Sequence, residues 1–253
     1  MTVYFGPAGT GGSDPNNLVE IKKVGLDAVE VAFTYSIWMT NADSKKYKEI
    51  NHKLNLKLSI HAPYYINLNS KDKKKIEASK KRILACCERG YYMGAEKVVF
   101  HPGYYGNMDK EETYQNIKAA IQDIQKEIKK NNWKVELAPE TTGKINVFGS
   151  IDEIARLKKE TGCSFCIDFA HILAREKKID FDYLFKKLNS KKIHAHISGI
   201  AYGEKGEKHH MLTPTSFLKQ VLTEVKKRKL NMVLINESPD PVGDSIKAKQ
   251  IKV

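Results

Sequence analysis

Short apolar runs rich in β-branched residues recur along this chain, separated by longer polar stretches whose apolar positions fall at helical spacing. Lys97-Val98-Val99-Phe100 delivers His101 to its end and stops at Pro102-Gly103, the pattern of a buried parallel strand that runs into a loop. Seven more segments repeat it: Val3–Gly6, Ala28–Phe33, Lys57–Ile60, Val135–Glu140, Ser164–Asp168, Ile193–Ile197 and Met232–Glu237. Between them, Ile117, Ile121, Ile124 and Ile128 mark the inner face of a helix over Lys110–Lys130, and a basic amphipathic helix is predicted over Asp72–Met93. Asp14-Pro15 is a helix opening, cap and first-position proline, for a helix reaching Val24. Further helices are expected over Asp43–Leu54, from Ser150 with Glu153 completing a capping box, and over Thr215–Lys227. Eight strands alternating with helices, with no linker, predict an α/β fold: a single (β/α)8 TIM barrel over residues 1–253 with an abbreviated last helix. A doubly wound open sheet is the alternative, and it would hold ligands in a crevice instead of around a ring of strand ends.

Composition narrows the setting. With 41% hydrophobic residues the chain can bury a large core, yet no apolar stretch approaches the ~18 residues of a membrane span. Met1–Phe5 lacks the basic and apolar regions of a secretory signal, so a soluble, cytoplasmic protein is expected. Cys86, Cys87, Cys163 and Cys166 are too few and clustered for a disulfide framework, and Cys163-x-x-Cys166 has no second pair, so all four are expected to pack in the core. The Gly6–Gly12 stretch matches neither the dinucleotide nor the P-loop spacing and reads as a plain βα loop. A net charge of +13 favours a polyanionic partner, although lysine runs such as those at 71–75 and 226–229 are equally expected on solvated helix faces.

The chemistry lies at strand ends. In a barrel, the C-terminal ends of the strands converge on one pocket. This chain places His61, His101, Glu140, Asp168 and Glu237 at the ends of the third, fourth, fifth, sixth and eighth strands. His171 follows Asp168, His196 is near the end of the seventh strand, and Glu207 and His209 lie in the loop beyond it. Singly, each reads as an ordinary hydrogen-bonded residue. Collected in one cavity without a cation, the carboxylates would repel one another and leave polar groups unpaired. Divalent metals remove both problems; mixed His/Asp/Glu ligation favours zinc, with manganese or iron as alternatives. One catalytic zinc takes about three protein ligands, and this larger set, with one bridging carboxylate, fills a cluster of about three ions suited to phosphodiester hydrolysis. His194, one layer deeper on its strand, is expected to pack or support, and His210 and His52 are expected to be non-ligands.

The motifs His61 with Tyr64-Tyr65-Ile66-Asn67-Leu68, Phe100-His101-Pro102-Gly103, Glu140-Thr141-Thr142-Gly143, Ile167-Asp168-Phe169-Ala170-His171, His196, Lys208-His209-His210 and Asn236-Glu237-Ser238-Pro239 resemble, in that order, the endonuclease IV family of abasic-site DNA repair enzymes. The resemblance implies one zinc held by His61, His101 and Glu140, a second by Glu140, Asp168, His196 and Glu237, and a third by His171, Glu207 and His209. It further implies a monomer that cleaves double-stranded DNA on the 5′ side of an abasic site through a metal-bridging hydroxide, with Glu140 and Glu237 catalytic. Tyr64 and Tyr65, helped by Tyr35 or Trp38, would enter the gap left by the extruded nucleotide. Two departures bear on the third site: the family usually carries Asp where Glu207 stands, and the loop before it is shortened. A barrel sugar isomerase or epimerase holding one divalent metal on Glu140, Asp168, His196 and Glu237 is the enzymatic alternative, and a non-catalytic nucleic-acid-binding barrel is the third.

Overall fold

In a computed structural model, which describes residues 1–253, the eight apolar runs form a closed TIM barrel. Its strands are β1 (Val3–Pro7), β2 (Ala28–Ala32), β3 (Lys57–His61), β4 (Lys97–Phe100), β5 (Glu136–Pro139), β6 (Ile167–Asp168), β7 (Lys192–Ile197) and β10 (Asn231–Asn236). All are parallel, as strands covered on both faces by crossover helices must be. Two continuous ladders, β1-β10-β7-β6 and β2-β3-β4-β5, make up the wall. They meet at two seams, each closed by a single bridge: Ala8 with Glu30 and Glu140 with Cys166. At the first seam Asp27 N donates to Phe5 O at 2.9 Å and Gly9 N to Glu30 O at 2.7 Å; at the second, Cys166 N donates to Pro139 O and Thr141 N to Cys166 O, both at 3.1 Å.

The outer layer follows the helical spacing. Helices α1 (Asn17–Lys23), α2 (Asn41–Leu54), α3 (Lys73–Met93), α4 (Lys110–Lys130), α5 (Ile151–Thr161), α6 (Phe169–Glu176), α7 (Phe181–Leu188), α8 (Thr215–Lys227) and α9 (Pro241–Gln250) surround the strands. The α4 isoleucines are buried against the wall, and Ser150 and Glu153 cap α5 reciprocally. All four cysteines are free and buried. No helix is long and apolar enough to cross a membrane.

Three local outcomes differ from the pattern. Helix α1 begins at Asn17 because Asp14 turns back to accept from Asn16 N at 2.9 Å. Strand β6 is only two residues long because Asp168 caps α6 directly, its Oδ1 accepting from His171 N at 2.7 Å. The polar loop after β7 is an antiparallel hairpin of β8 (Gly199–Gly203) and β9 (Gly206–Met211), with a bulge in its register at Ala201/Tyr202.

Gly6 allows the first seam to close. A Cβ there would lie 1.9 Å from the carbonyl oxygen of Ala28, a backbone atom that cannot yield without opening the wall. Gly6→Ala is expected to lower stability by about 3 kcal/mol or more, read as a shift in the urea unfolding midpoint; an unchanged midpoint would contradict this role.

Candidate metal centre

Glu140, delivered by the end of β5, sits with no solvent exposure at the middle of the barrel's C-terminal mouth. Its Oε2 lies 3.2 Å from His61 Nε2 and 3.0 Å from His101 Nε2; its Oε1 lies 3.2 Å from His196 Nδ1 and 3.3 Å from His171 Nδ1. Four imidazoles from β3, the β4 end, β7 and α6 therefore converge on one carboxylate. Adjoining rings are packed closely, with centroids 5.7 Å apart for His61 and His101 and 5.5 Å for His101 and His171. Glu237, at the end of β10, reaches to 3.4 Å from His196 Nδ1.

Three of the four groups in which ligand atoms lie within 4.8 Å of one another gather at the mouth: His61, His101 and Glu140; Glu140, Asp168, His196 and Glu237; and Asp168, His171 and His210. Glu140 belongs to the first two and Asp168 to the last two, so the groups are joined through shared carboxylates. The third differs from expectation. His209 is exposed and outside the cluster, whereas His210 faces it, its ring 5.5 Å from that of His171. The bulge explains the exchange: Ala201 pairs with His209 but Tyr202 with Glu207, so Lys208 is the extra residue and the period-two alternation slips by one. Glu207 and His210 consequently share the inward face. Glu207 Oε2 is 3.5 Å from His171 Nε2, and its Oε1 is 3.9 Å from His210 Nε2. The hairpin is held against the barrel by Glu207 N donating to Gly143 O at 3.1 Å.

Above the cluster, Tyr35, Tyr64 and Tyr65 stand exposed at the rim, with Tyr35 centred 6.2 Å from Tyr64 and 6.5 Å from Tyr65. Tyr64 is also 6.2 Å from the His61 ring. Trp38 turns away from them, packing edge-on against Phe33 at 5.5 Å.

A family model described as xylose isomerase-like TIM barrel matches residues 18–251. The chain belongs to that family. An uncharacterized protein of Methanocaldococcus jannaschii is 37% identical over 94% of this chain and 93% of its own. A probable endonuclease 4 of Mycobacterium ulcerans is 30% identical over 49% of each chain, so that likeness spans about half of either protein. Among solved structures, endonuclease IV from Thermus thermophilus superposes with a TM-score of 0.74 at 18% identity, covering 98% of this chain and 97% of its own. A D-tagatose 3-epimerase-like protein gives the same score at 17% identity, covering 99% and 95%. At such identities the structural matches establish the fold alone.

The cluster of this family member fits divalent cations on its own physical chemistry. Asp168 Oδ2 is buried and has no hydrogen-bond partner, an acceptor that a cation would satisfy. The donor set is imidazole and carboxylate throughout, the chemistry of zinc, manganese and iron sites. Charge points the same way. Burial would push the Glu140 carboxyl up, but the charges of His101 and His196 and hydrogen bonds from His101 and His171 hold it well below the usual range. Burial disfavours charging His61, yet the hydrogen bond and charge of Glu140 outweigh it and raise it to about 9. His171 is raised well above its usual value, against burial, chiefly by Asp168 and Glu140. Protons thus occupy positions that cations would take, and a metal must displace them.

The strands account for Glu140, Asp168 and their histidines, and His194 lies one layer below as its strand position implies, but Glu30 beside it was not recognisable as part of the site. Glu30 left one signal, a lone carboxylate in the fully apolar run of β2.

Because His61 titrates near 9 without metal, zinc added at about pH 7.5 meets a protonated ring, and binding tightens as pH rises towards that value and weakens as it falls. Calorimetric titration of metal-free protein in two buffers of different ionisation enthalpy should show release of roughly one proton or more per chain; heats independent of buffer would contradict it.

Proposed function

We propose that this protein is a metal-dependent DNA repair endonuclease that hydrolyses the phosphodiester on the 5′ side of an abasic site and leaves a 3′-hydroxyl. The observation that carries the reading is the linkage of three donor groups through Glu140 and Asp168, a set larger than one cation needs. In this reading His61, His101 and Glu140 hold one ion; Glu140, Asp168, His196 and Glu237 a second; and Asp168, His171 and His210, the last in place of His209, with Glu207 beside them, a third. Zinc is the metal the ligands favour, with manganese or iron as alternatives. Bound there, the cations supply Lewis acidity for the phosphate oxygens and for the departing alkoxide.

The chain's own groups do the rest. Glu237 keeps 17% of its side chain exposed whereas the Glu140 side chain keeps none, so Glu237 is the carboxylate that meets entering water and can accept its proton. Glu140 remains ionised and holds the ring of imidazoles in place. Tyr35, Tyr64 and Tyr65 offer faces and edges to a base stack opened by extrusion of the damaged nucleotide; Trp38, packed on Phe33, supports the rim.

The charge excess finds a place as well. Beside Tyr64 and Tyr65 a surface cleft of about 510 Å³ is lined by Lys74, Lys75 and Arg82 and contains no acidic residue. It runs from the rim along the start of α3 and suits the backbone of the strand flanking the lesion. Likeness to endonucleases 4 in both sequence and fold supports the assignment.

An epimerase reading has one observation in its favour: Glu140, Asp168, His196 and Glu237 alone make a single-ion site, and an epimerase-like barrel superposes equally well. It leaves His61, His101, Glu207 and the basic cleft without a task.

A duplex carrying one tetrahydrofuran abasic mimic should be nicked 5′ of the mimic, the nicking should stop on chelation, and Glu140→Gln should fall to background while remaining folded. An uncut strand with fully metal-loaded protein contradicts the proposal. Independently, Lys74→Ala and Lys75→Ala should each reduce the slope of log affinity against log salt for duplex binding by roughly 1; unchanged slopes would place the DNA elsewhere.

A further inference from the structure

One layer beneath the cluster lies a buried polar group that the proposed chemistry does not use. Glu30 projects from the middle of β2 with no solvent exposure, between the fully buried Val29 and Val31. A carboxylate at such a depth is tolerated only with partners. Ser59 Oγ donates to its Oε2 at 2.7 Å, and His194 Nε2 lies 3.0 Å from the same oxygen. Its Oε1 lies 2.8 Å from His196 Nε2, close but with the ring N–H not aligned on the oxygen, and both buried atoms are otherwise without a hydrogen-bond partner. The opposite nitrogen of that ring, His196 Nδ1, faces Glu140 at 3.2 Å and Glu237 at 3.4 Å. One carboxylate therefore spans two imidazoles that sit two residues apart on β7, and one of those imidazoles belongs to the cluster.

We propose that Glu30 is a positioning residue for the metal centre: it accepts a hydrogen bond from the Nε2–H of His196, which keeps its proton, and thereby fixes the tautomer whose Nδ1 lone pair would face the cations. A histidine ligand is oriented, and its donor nitrogen made more basic, when its other nitrogen donates to a carboxylate. Ser59 and His194 hold the second oxygen of Glu30 and prevent the carboxylate from rotating away. The inference rests on reading the cluster above as a metal centre.

The same residues have a rival use. Cys166, His194 and His196 lie close enough to ligate an ion of their own. Against it, His194 Nε2 is already engaged by Glu30 Oε2 in a 3.0 Å hydrogen bond.

Two measurements decide it. Long-range nitrogen–proton NMR correlations of the zinc-loaded wild-type protein should show His196 protonated at Nε2 alone, and a proton on Nδ1 of the zinc-loaded protein overturns the proposal with no mutant required. In competition with a chromogenic chelator, zinc-loaded Glu30→Gln should lose about 10- to 100-fold in affinity for one ion, because an amide cannot accept from both rings. Ser59→Ala, which leaves the carboxylate in place, should lose less. A folded Glu30→Gln with wild-type affinity overturns the proposal, as does a thiolate-to-cobalt charge-transfer band in cobalt-loaded wild type, which would put the metal on Cys166. A wild type that takes up no metal overturns the metal-centre reading on which the proposal rests, an outcome distinct from a metal-loaded protein with the proton on Nδ1.

Discussion

An ionised carboxylate at the centre of a protein is among the least favourable groups to bury, and this barrel builds its mouth around one. Glu140 is fully enclosed, and four imidazoles crowd its two oxygens. Their positive charge when protonated, or that of cations in their stead, offsets the loss of hydration. The histidines come from different parts of the chain, so no local segment can satisfy Glu140; only the closed ring of strands can. The same constraint makes the centre useful, because a group that demands positive charge from several directions is a template for more than one cation.

The seams of the wall connect this demand to the fold. The two ladders are joined by single bridges, one at Glu30 and the other at Glu140, so the residues that close the barrel also carry its buried charges. At the Glu30 seam, Gly6 lets β1 pass against Ala28 where any side chain would collide. At the Glu140 seam, the very short β6 gives way at once to α6, whose cap Asp168 turns one oxygen to the helix and leaves the other free for the cluster. Strand closure and site assembly are thus one event in the architecture.

Much of this was legible in the chain. β-branched runs ending in His or a carboxylate announced both the barrel and the residues at its mouth, because burial on two faces and convergence of strand ends leave that pattern. What escaped has a physical reason. His209 and His210 are adjacent, and the choice between them depends on a bulge at Lys208, a register slip set by pairing with β8 that no alternation reveals. Glu30 was hidden because its partners lie far away in sequence, Ser59 opposite it on the neighbouring strand β3 and His194 on β7. Of the two helpers expected beside Tyr64 and Tyr65, Tyr35 stands next to both, whereas Trp38, though exposed, packs edge-on against Phe33.

The central claim is that donors linked through Glu140 and Asp168 hold several cations at once. Counting divalent ions per chain by mass spectrometry, in protein purified without chelator, tests it most directly. The account predicts about three; a single ion per chain, as Glu140, Asp168, His196 and Glu237 alone would hold, would contradict it.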